Sequence, residues 1–167
     1  MNSDKQEFRN AMALLGSAVN VIATDGVGGR CGYTGTAACS VTDEPATILV
    51  CLNTNSAMNK VFKENGVLSV NVLSGEQLEM SGRFAGSDGT PMNKRFMGAE
   101  WITLRTGSPI NRESLCALDC TISSVQHFGT HTVFFCAVRD IHFGQADNGL
   151  VYWARSFHKL ERPDAAP

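Results

Sequence analysis

Small and hydroxyl side chains are concentrated between residues 31 and 59 of the sequence. A short apolar run follows them, and a polar turn then leads to Ser56, a residue type that commonly caps a helix. Small side chains allow a flat ligand to lie against the backbone, and the free N–H groups at a helix N-terminus attract an anion. The stretch therefore predicts a binding site for a flat molecule that carries an anionic group.

Other sequence features argue against several classes of chemistry. The glycines at 26, 28 and 29 superficially resemble a dinucleotide-binding loop, but a second strand follows them in place of a helix, so the Rossmann pattern fails. The six cysteines form no CxxC pair, and we expect them to be reduced and mostly buried. The four histidines lie at no finger-like spacing from them, so no metal site is predicted.

Length and charge restrict the class of protein. A chain of 167 residues fits one domain, which we assign to residues 1–160 with a tail at 161–167. Fourteen Lys and Arg against 16 Asp and Glu, without a basic run, make nucleic acid an improbable partner. The apolar runs are far below the ~20 residues of a membrane-spanning helix, and the N-terminus lacks a signal-peptide pattern, so we expect a cytoplasmic protein without a membrane partner.

The elements that must position the stretch are mainly strands. Phe8, Ala11, Met12 and Leu15 share one face of a first helix, and further short helices are expected after Ser56 and Ser74. Residues 83–114 are predicted to form a long loop region with two short strands. Six or more antiparallel strands with few helices favour a β-barrel. The predicted strands are 18–24, 30–36, 46–52, 67–73, 115–126, 131–143 and 149–153.

Four segments of the sequence together resemble a known family: GYTGTAACSVTDEPATILVCLNTNSAMN, GVLSVNVLSGEQLEMSGRFAG, GTHTVFFCAV and GLVYWARSFH. Their order and spacing are similar to those of the short-chain NAD(P)H:flavin reductases with an FMN-binding split barrel, over nearly the whole chain. The resemblance implies a mainly β protein, an antiparallel split β-barrel with a few short helices. It also implies a homodimer in which each flavin, FMN or FAD, lies near the subunit interface and is reduced by NADH or NADPH.

The resemblance also implies where the flavin binds. Hydroxyl donors are expected from Thr34 or Thr36, and Arg83 and Phe84 are expected beside the phosphate and the ring. The alternative for that pair is an exposed arginine next to a packed phenylalanine. The isoalloxazine ring is expected against Ala38, Cys39, Ser40 and Val41, and the ribityl phosphate is expected near Asn53, Asn55 and Ser56.

The other implied site residues lie in the last third of the chain. His131 is expected to face the cofactor and the nicotinamide, as the catalytic residue; the alternative is a strand-end histidine bonded to backbone. Thr130 stands where many relatives carry an aspartate, which leaves any role of that acid in doubt. The tail motif is expected to cover the flavin and approach a phosphate, or else to be a solvated strand end; its residues are Tyr152, Arg155, Phe157 and His158.

The leading function is a flavin reductase that takes hydride from NAD(P)H and passes electrons to a partner flavin-dependent monooxygenase. One alternative is a flavoprotein corrin reductase acting on a corrinoid, since a relative with this fold reduces cob(II)yrinic acid a,c-diamide to Co(I). Another is a non-catalytic module that binds flavin or haem. Hydride transfer to flavin requires no side-chain nucleophile, because the cofactor carries the difficult step. The lack of an evident catalytic triad or carboxylate pair in the sequence therefore agrees with the flavin reductase hypothesis.

Overall fold

The computed structural model describes residues 2–163, with side chains from Asp4 onwards. Seven strands form the main antiparallel sheet, a second sheet has three strands, and a third has two. In chain order the strands are β1 (Ser17–Ala18), β2 (Asn20–Thr24), β3 (Cys31–Gly35), β4 (Ala38–Asp43), β5 (Ala46–Asn53), β6 (Val67–Val72), β7 (Trp101–Thr103), β8 (Pro109–Asn111), β9 (Cys116–Phe128), β10 (His131–Phe143), β11 (Asn148–Trp153) and β12 (Ser156–Glu161).

The main sheet has the order β3-β2-β6-β9-β10-β5-β4, and the smaller sheets are β1-β11-β12 and β7-β8. Every ladder between these strands is antiparallel. In the described part of the chain, β3 and β4 end the sheet order and no ladder joins them. The expected fold class, mainly antiparallel β with a few short helices, is therefore confirmed.

Four short helices accompany the sheets: α1 (Asn2–Met12), α2 (Ala57–Asn65), α3 (Leu78–Ala85) and α4 (Met92–Arg95). The predicted cap of α2 is present, because the Met58 amide donates to Ser56 Oγ at 3.3 Å. Gly66 ends α2 with a φ of 65°, a conformation that glycine adopts without strain. The expected capping box at Ser74 begins a single 3₁₀ turn, Gly75–Gln77, and α3 follows it.

Two apolar clusters lie on opposite sides of β2, which explains why all five of its residues are buried. The first cluster contains Ile22, the α2 residue Phe62 and Phe134 of β10. The second contains Val21, Phe84 of α3 and Leu150 of β11. Strand β2 therefore connects the main sheet to the layer that carries the C-terminal hairpin.

The strand predictions were largely correct, and two strands were missed. The segment predicted at 131–143 is β10 with identical bounds, and it lies between β9 and β5 as a central strand. Strands β4 and β12 were not predicted, and the short helix expected after Ser74 is present as α3. The division into a domain at 1–160 and a tail stays a prediction, and residues 164–167 of that tail lie outside the described residues.

None of the helices in the described part of the chain combines the length and the hydropathy that crossing a membrane requires. All six cysteines are free; three are buried and Cys39 is exposed. Burial raises the pKa of the Cys31 thiol to about 11, with a smaller contribution from Asp25, and burial raises the pKa of Cys136 to about 12. These buried thiols therefore stay protonated near neutral pH.

Candidate functional site

Strand β4 forms one edge of the main sheet and carries the four residues expected beside a flat ring. Among the described strands it pairs with β5 alone, so alternate residues turn their N–H and C=O groups to the open edge. The register shifts between Ser40 and Thr42, which marks a bulge at Val41, and bulges commonly re-aim backbone and side chains beside binding sites. The edge therefore offers unpaired backbone donors and acceptors beside small side chains.

The two faces of β4 differ in their surroundings. Ala38 and Ser40 lie opposite the buried Val50 and Ile48, on the face directed toward the core. There they line a cleft of about 240 Å³, the edge cleft, together with residues brought in by β2, β6 and β9. These further lining residues include Asn20, Val70 and Leu118.

Cys39 also borders the edge cleft, but its register position, across from Leu49, directs its side chain to the opposite face of β4. Its thiol is exposed, and Cys51 is its neighbour on β5. Burial, and to a smaller extent the proximity of Cys39, raises the pKa of the Cys51 thiol. Cys39 is therefore the accessible thiol at this edge, whereas Cys51 is partly protected.

The two expected threonines and two residues of the tail motif border a second cleft. This hairpin cleft, of about 380 Å³, is lined by Thr34, Thr36, Tyr152 and Phe157 with Val19 and Gly35. The Thr34 hydroxyl donates to the carbonyl of Ser81 at 2.6 Å, so its oxygen remains available as an acceptor. The Tyr152 and Phe157 rings pack edge to face with centroids 5.1 Å apart. Two aromatic faces therefore stand over the start of the small-residue stretch.

Thr36 and Tyr152 also line a third cleft, of about 300 Å³, between α1 and the C-terminal hairpin. Arg155 lines this helix cleft, and its Nη2 donates to Asn10 Oδ1 at 2.7 Å. Arg155 and Ala154 form the hairpin turn with φ values of 64° and 50°, which non-glycine residues rarely adopt. The turn thus holds an arginine at the cleft at some cost in backbone strain.

The residues expected near a phosphate form a compact turn at the end of β5. Asn53 folds this turn: its Oδ1 accepts from the Asn55 amide at 2.9 Å, and its carbonyl accepts from the Ser56 amide at 3.0 Å. Helix α2 begins directly after Ser56, so its first N–H groups point toward the same turn. The Asn55, Ser56 and Met58 amides are bonded within the turn, so the feature that favours an anion here is the positive end of the α2 dipole.

His131 begins β10 beside this turn, directly opposite Asn53 in the ladder with β5. Its ring Nδ1 lies 2.9 Å from the hydroxyl oxygen of Thr130, and the Thr54 amide donates to the Thr130 carbonyl at 2.9 Å. Val50 pairs with Ala38 and precedes Asn53 by three residues, so about 10 Å of β5 separates the position opposite Ala38 from the turn. Strand β5 therefore joins the open edge of β4 to the N-terminus of α2.

Arg83, Phe84 and His158 line none of the three clefts and take no part in the turn at Asn53. Arg83 donates from Nη1 to the Met97 carbonyl at 2.7 Å and pairs with Glu79 at 2.8 Å. Phe84 is 1% exposed and packs against Phe96 and Trp101 in the second apolar cluster. His158 donates from Nε2 to the Trp153 carbonyl, 3.2 Å away. Packing explains Phe84 better than ring contact does.

No pattern in the sequence indicated the lining residues that distant elements contribute. Asn20, Val70 and Leu118 reach the edge cleft only because β2, β6 and β9 are neighbours in the sheet. Phe8 and Arg9 of α1 line the helix cleft, although the periodicity of α1 indicated only a helix that covers a core. In the described residues, no three His, Cys, Asp or Glu side chains form a group that could hold a metal ion.

The site fits a flavin in three respects. The edge cleft and the open backbone of β4 suit a flat ring with a polar edge. The turn at Asn53 and the start of α2 suit a phosphate. The charged residues that line the hairpin and helix clefts are Arg9 and Arg155, and neither is paired with a carboxylate among the described residues. This charge distribution favours an anionic ligand.

Comparison with known proteins gives an independent result. The model of the "Flavin reductase like domain" family matches residues 12–161. The 4-hydroxyphenylacetate 3-monooxygenase reductase component of Pseudomonas aeruginosa is 49% identical over 162 residues, which are 97% of this chain and 95% of that protein. The FMN reductase (NADH) RutF of Escherichia coli is 49% identical over 160 residues, 96% of either chain. The solved structure of the flavin reductase PheA2 superposes with a TM-score of 0.85 at 28% identity, covering 95% of this chain and 99% of that one.

Proposed function

Since this chain belongs to the flavin reductase like family, we propose that it transfers hydride from NAD(P)H to FMN or FAD and supplies the reduced flavin to a monooxygenase. The observation that carries the proposal is the path along β5. One end of this strand pairs with the small residues of β4, and the other end leads into the anion-binding turn and α2. A ring and a phosphate can therefore be held at the two ends of one strand.

The flavin supplies the hydride acceptor when it is bound, so the chain itself needs only to bind, orient and exclude water. The open edge of β4 would donate backbone N–H groups to the polar edge of the ring, where negative charge accumulates on reduction. The turn at Asn53, with Asn55 and Ser56, would hold the phosphate. Tyr152 and Phe157 would cover the ring from the side of the hairpin cleft and keep water away from it.

His131 is proposed as the residue that meets the nicotinamide. It lies at the end of β5 and β10 next to the phosphate turn, on the face of the sheet that also carries Cys39. Its imidazole is exposed, so it can donate a hydrogen bond to the carboxamide of NAD(P)H and orient the ring. Arg155 is proposed to approach a phosphate of the flavin or of NAD(P)H from the helix cleft.

A homodimer is proposed from the outer face of the main sheet. Leu49 and Cys51 of β5 lie opposite Phe135 and Val133 of β10, and all four side chains are only half-buried in one chain. This apolar patch lies on the same face as Cys39, Asn53 and His131, because paired residues share a face and faces alternate along a strand. A second copy on this patch would bury it and would form a wall of each flavin site.

Anaerobic reduction tests the proposed function. Purified protein is mixed with FMN or FAD under nitrogen, and NADH or NADPH is added while the visible flavin absorption is followed. We expect bleaching at a rate far above that of a protein-free mixture, with saturation in both substrates. If the protein binds flavin but neither nicotinamide reduces it, the proposal is wrong and the chain is a flavin-binding module. Where reduction occurs, the kcat/KM values for FMN against FAD and for NADH against NADPH identify the preferred flavin and nicotinamide.

A further inference from the structure

Asn59 connects two parts of the proposed site from inside the protein. It lies in the first turn of α2 and is only 3% exposed. Its Nδ2 donates to the Thr132 hydroxyl at 2.9 Å and to the Asn53 carbonyl at 3.3 Å. Asn53 begins the phosphate turn, and Thr132 follows His131 directly, so one carboxamide bridges the turn and the start of β10.

The acceptor on β10 is itself part of a polar network that extends from the interior to the surface. Thr132 is fully buried, and its Oγ1 lies 3.4 Å from Thr54 Oγ1 and 3.3 Å from His127 Nδ1. Removing the Asn59 carboxamide takes a donor from the fully buried Thr132 hydroxyl, whereas the exposed Thr54 and His127 side chains can bond to water instead. Asn59 therefore strongly influences the separation between α2 and β10 at this end of the sheet.

We propose that Asn59 is a positioning residue that holds the Asn53–Ser56 turn against β10, and that it thereby gives the site its affinity for the phosphate of the flavin. The inference rests on the proposed function, because it requires the phosphate to lie at this turn. Asn59 does not touch the ligand; it acts through Asn53 and the first turn of α2. A phosphate needs several donors at fixed positions, whereas the ring is held elsewhere, along β4.

The same helix contains a matched control at its other end. Asn65 also uses its carboxamide to connect α2 to the sheet: Nδ2 donates to Thr24 Oγ1 at 3.0 Å and to the Gly29 carbonyl at 2.9 Å. Its Oδ1 accepts from the Gly28 amide at 2.7 Å. Loss of either asparagine removes comparable bonds from α2, but only Asn59 lies beside the proposed phosphate turn.

The experiment compares FMN with riboflavin, which has the same ring and lacks the phosphate. Dissociation constants are measured by flavin fluorescence for the wild type, Asn59→Leu and Asn65→Leu. We expect Asn59→Leu to weaken FMN binding about tenfold and to change riboflavin binding less than about twofold, since the phosphate contacts alone lose their geometry. Asn65→Leu is expected to lower the melting temperature about as much as Asn59→Leu does. The ratio of its FMN affinity to its riboflavin affinity should stay that of the wild type.

Thr132→Val provides a second route if Asn59→Leu fails to fold, because valine retains the shape of threonine and removes the acceptor. Like Asn59→Leu, it is expected to lower the ratio of FMN affinity to riboflavin affinity. The double variant, Asn59→Leu with Thr132→Val, should lose less FMN binding free energy than the sum of the two single losses. Equal losses for FMN and riboflavin, or an unchanged ratio, would overturn the inference. Failure of the proposed function would be seen separately, as wild-type protein that binds flavin and never accepts hydride.

Discussion

Asn53 and His131 face each other across the ladder of β5 and β10, and Phe128 of β9 stands opposite His131 on its other side. These three residues form the last row of the sheet at this end. The backbone ladder, and not the histidine ring, fixes the position of Asn53 relative to β10. A substitution of the exposed His131 side chain should therefore leave the proposed phosphate turn in place, so that the proposed nicotinamide role can be tested separately from flavin binding.

Replacement of His131 by alanine is predicted to act on the nicotinamide. We expect kcat/KM for NADH to fall about tenfold, the effect of one lost hydrogen bond to the substrate. The dissociation constant of FMN should stay within about twofold, as for most exposed substitutions. Steady-state kinetics and fluorescence titration measure the two quantities. Gln126→Ala, on β9 near this row, is the control; a large loss of FMN affinity in His131→Ala would contradict the assignment.

Cys39 is predicted to be the first thiol that reacts in the folded protein. It is exposed, whereas the pKa of Cys31 is about 11 and that of Cys136 about 12, and a raised pKa reduces the reactive thiolate at lower pH. At pH 8, iodoacetamide should label Cys39 first, as detected by peptide mass spectrometry. Saturating FMN should slow this labelling if the ring lies along β4, and an unaffected rate would place the flavin elsewhere.

The fold could be predicted where the signal is local. The capped start of α2 at Ser56, its end at Gly66 and the whole of β10 follow from residue types and periodicity. Strands β4 and β12 could not be predicted in this way, because nearly all of their side chains are exposed and no apolar alternation remains. Their partners, β5 and β11, stabilise them through the ladder instead.

The candidate site was predictable only in part, for a related reason. Small residues before a capped helix indicate a slot and an anion site, and both lie along β5 in the structure. The rest of the slot depends on sheet order: Leu118 and Asn20 are distant in sequence and line the same cleft. Phe84 was expected at the ring and instead lies in the second apolar cluster, because a sequence motif does not tell which side of a helix faces the core.

Phe84 is predicted to contribute to stability and not to flavin binding. Its ring is within 5.0 Å of the Phe96 ring centroid and 5.8 Å of Trp101, inside the second apolar cluster. Phe84→Leu should lower the free energy of unfolding by about 1–2 kcal/mol, because it loses packed volume. Urea denaturation measures this change. KM for FMN should stay within about twofold, and a raised KM at unchanged stability would support the ring contact instead.

Ala154 is predicted to be a site where glycine stabilises the protein. Its φ of 50° is costly for alanine and free of strain for glycine. Ala154→Gly should raise the free energy of unfolding by about 0.5–1 kcal/mol, and the melting temperature by roughly 1–4 °C for a chain of this size. Gly129→Ala, at a φ of 55°, is the reciprocal control and should lower it. A destabilised Ala154→Gly variant would show that the turn is not strained.

The proposed dimer is tested at Phe135, which lies opposite Leu49 on the half-buried outer face of the main sheet. A glutamate at this position would place a charge in the centre of the patch, and burying an unpaired carboxylate is far more costly than leaving it in water. Phe135→Glu should therefore shift the protein from dimer to monomer in light scattering coupled to size-exclusion chromatography. It should also weaken FMN binding, because the partner would no longer form a wall of the site.

Leu160→Glu, on the exposed face of β12, is the control for the added charge and should remain dimeric. A wild-type protein that is monomeric at micromolar concentration, or a Phe135→Glu variant that stays dimeric, would exclude this face as the interface.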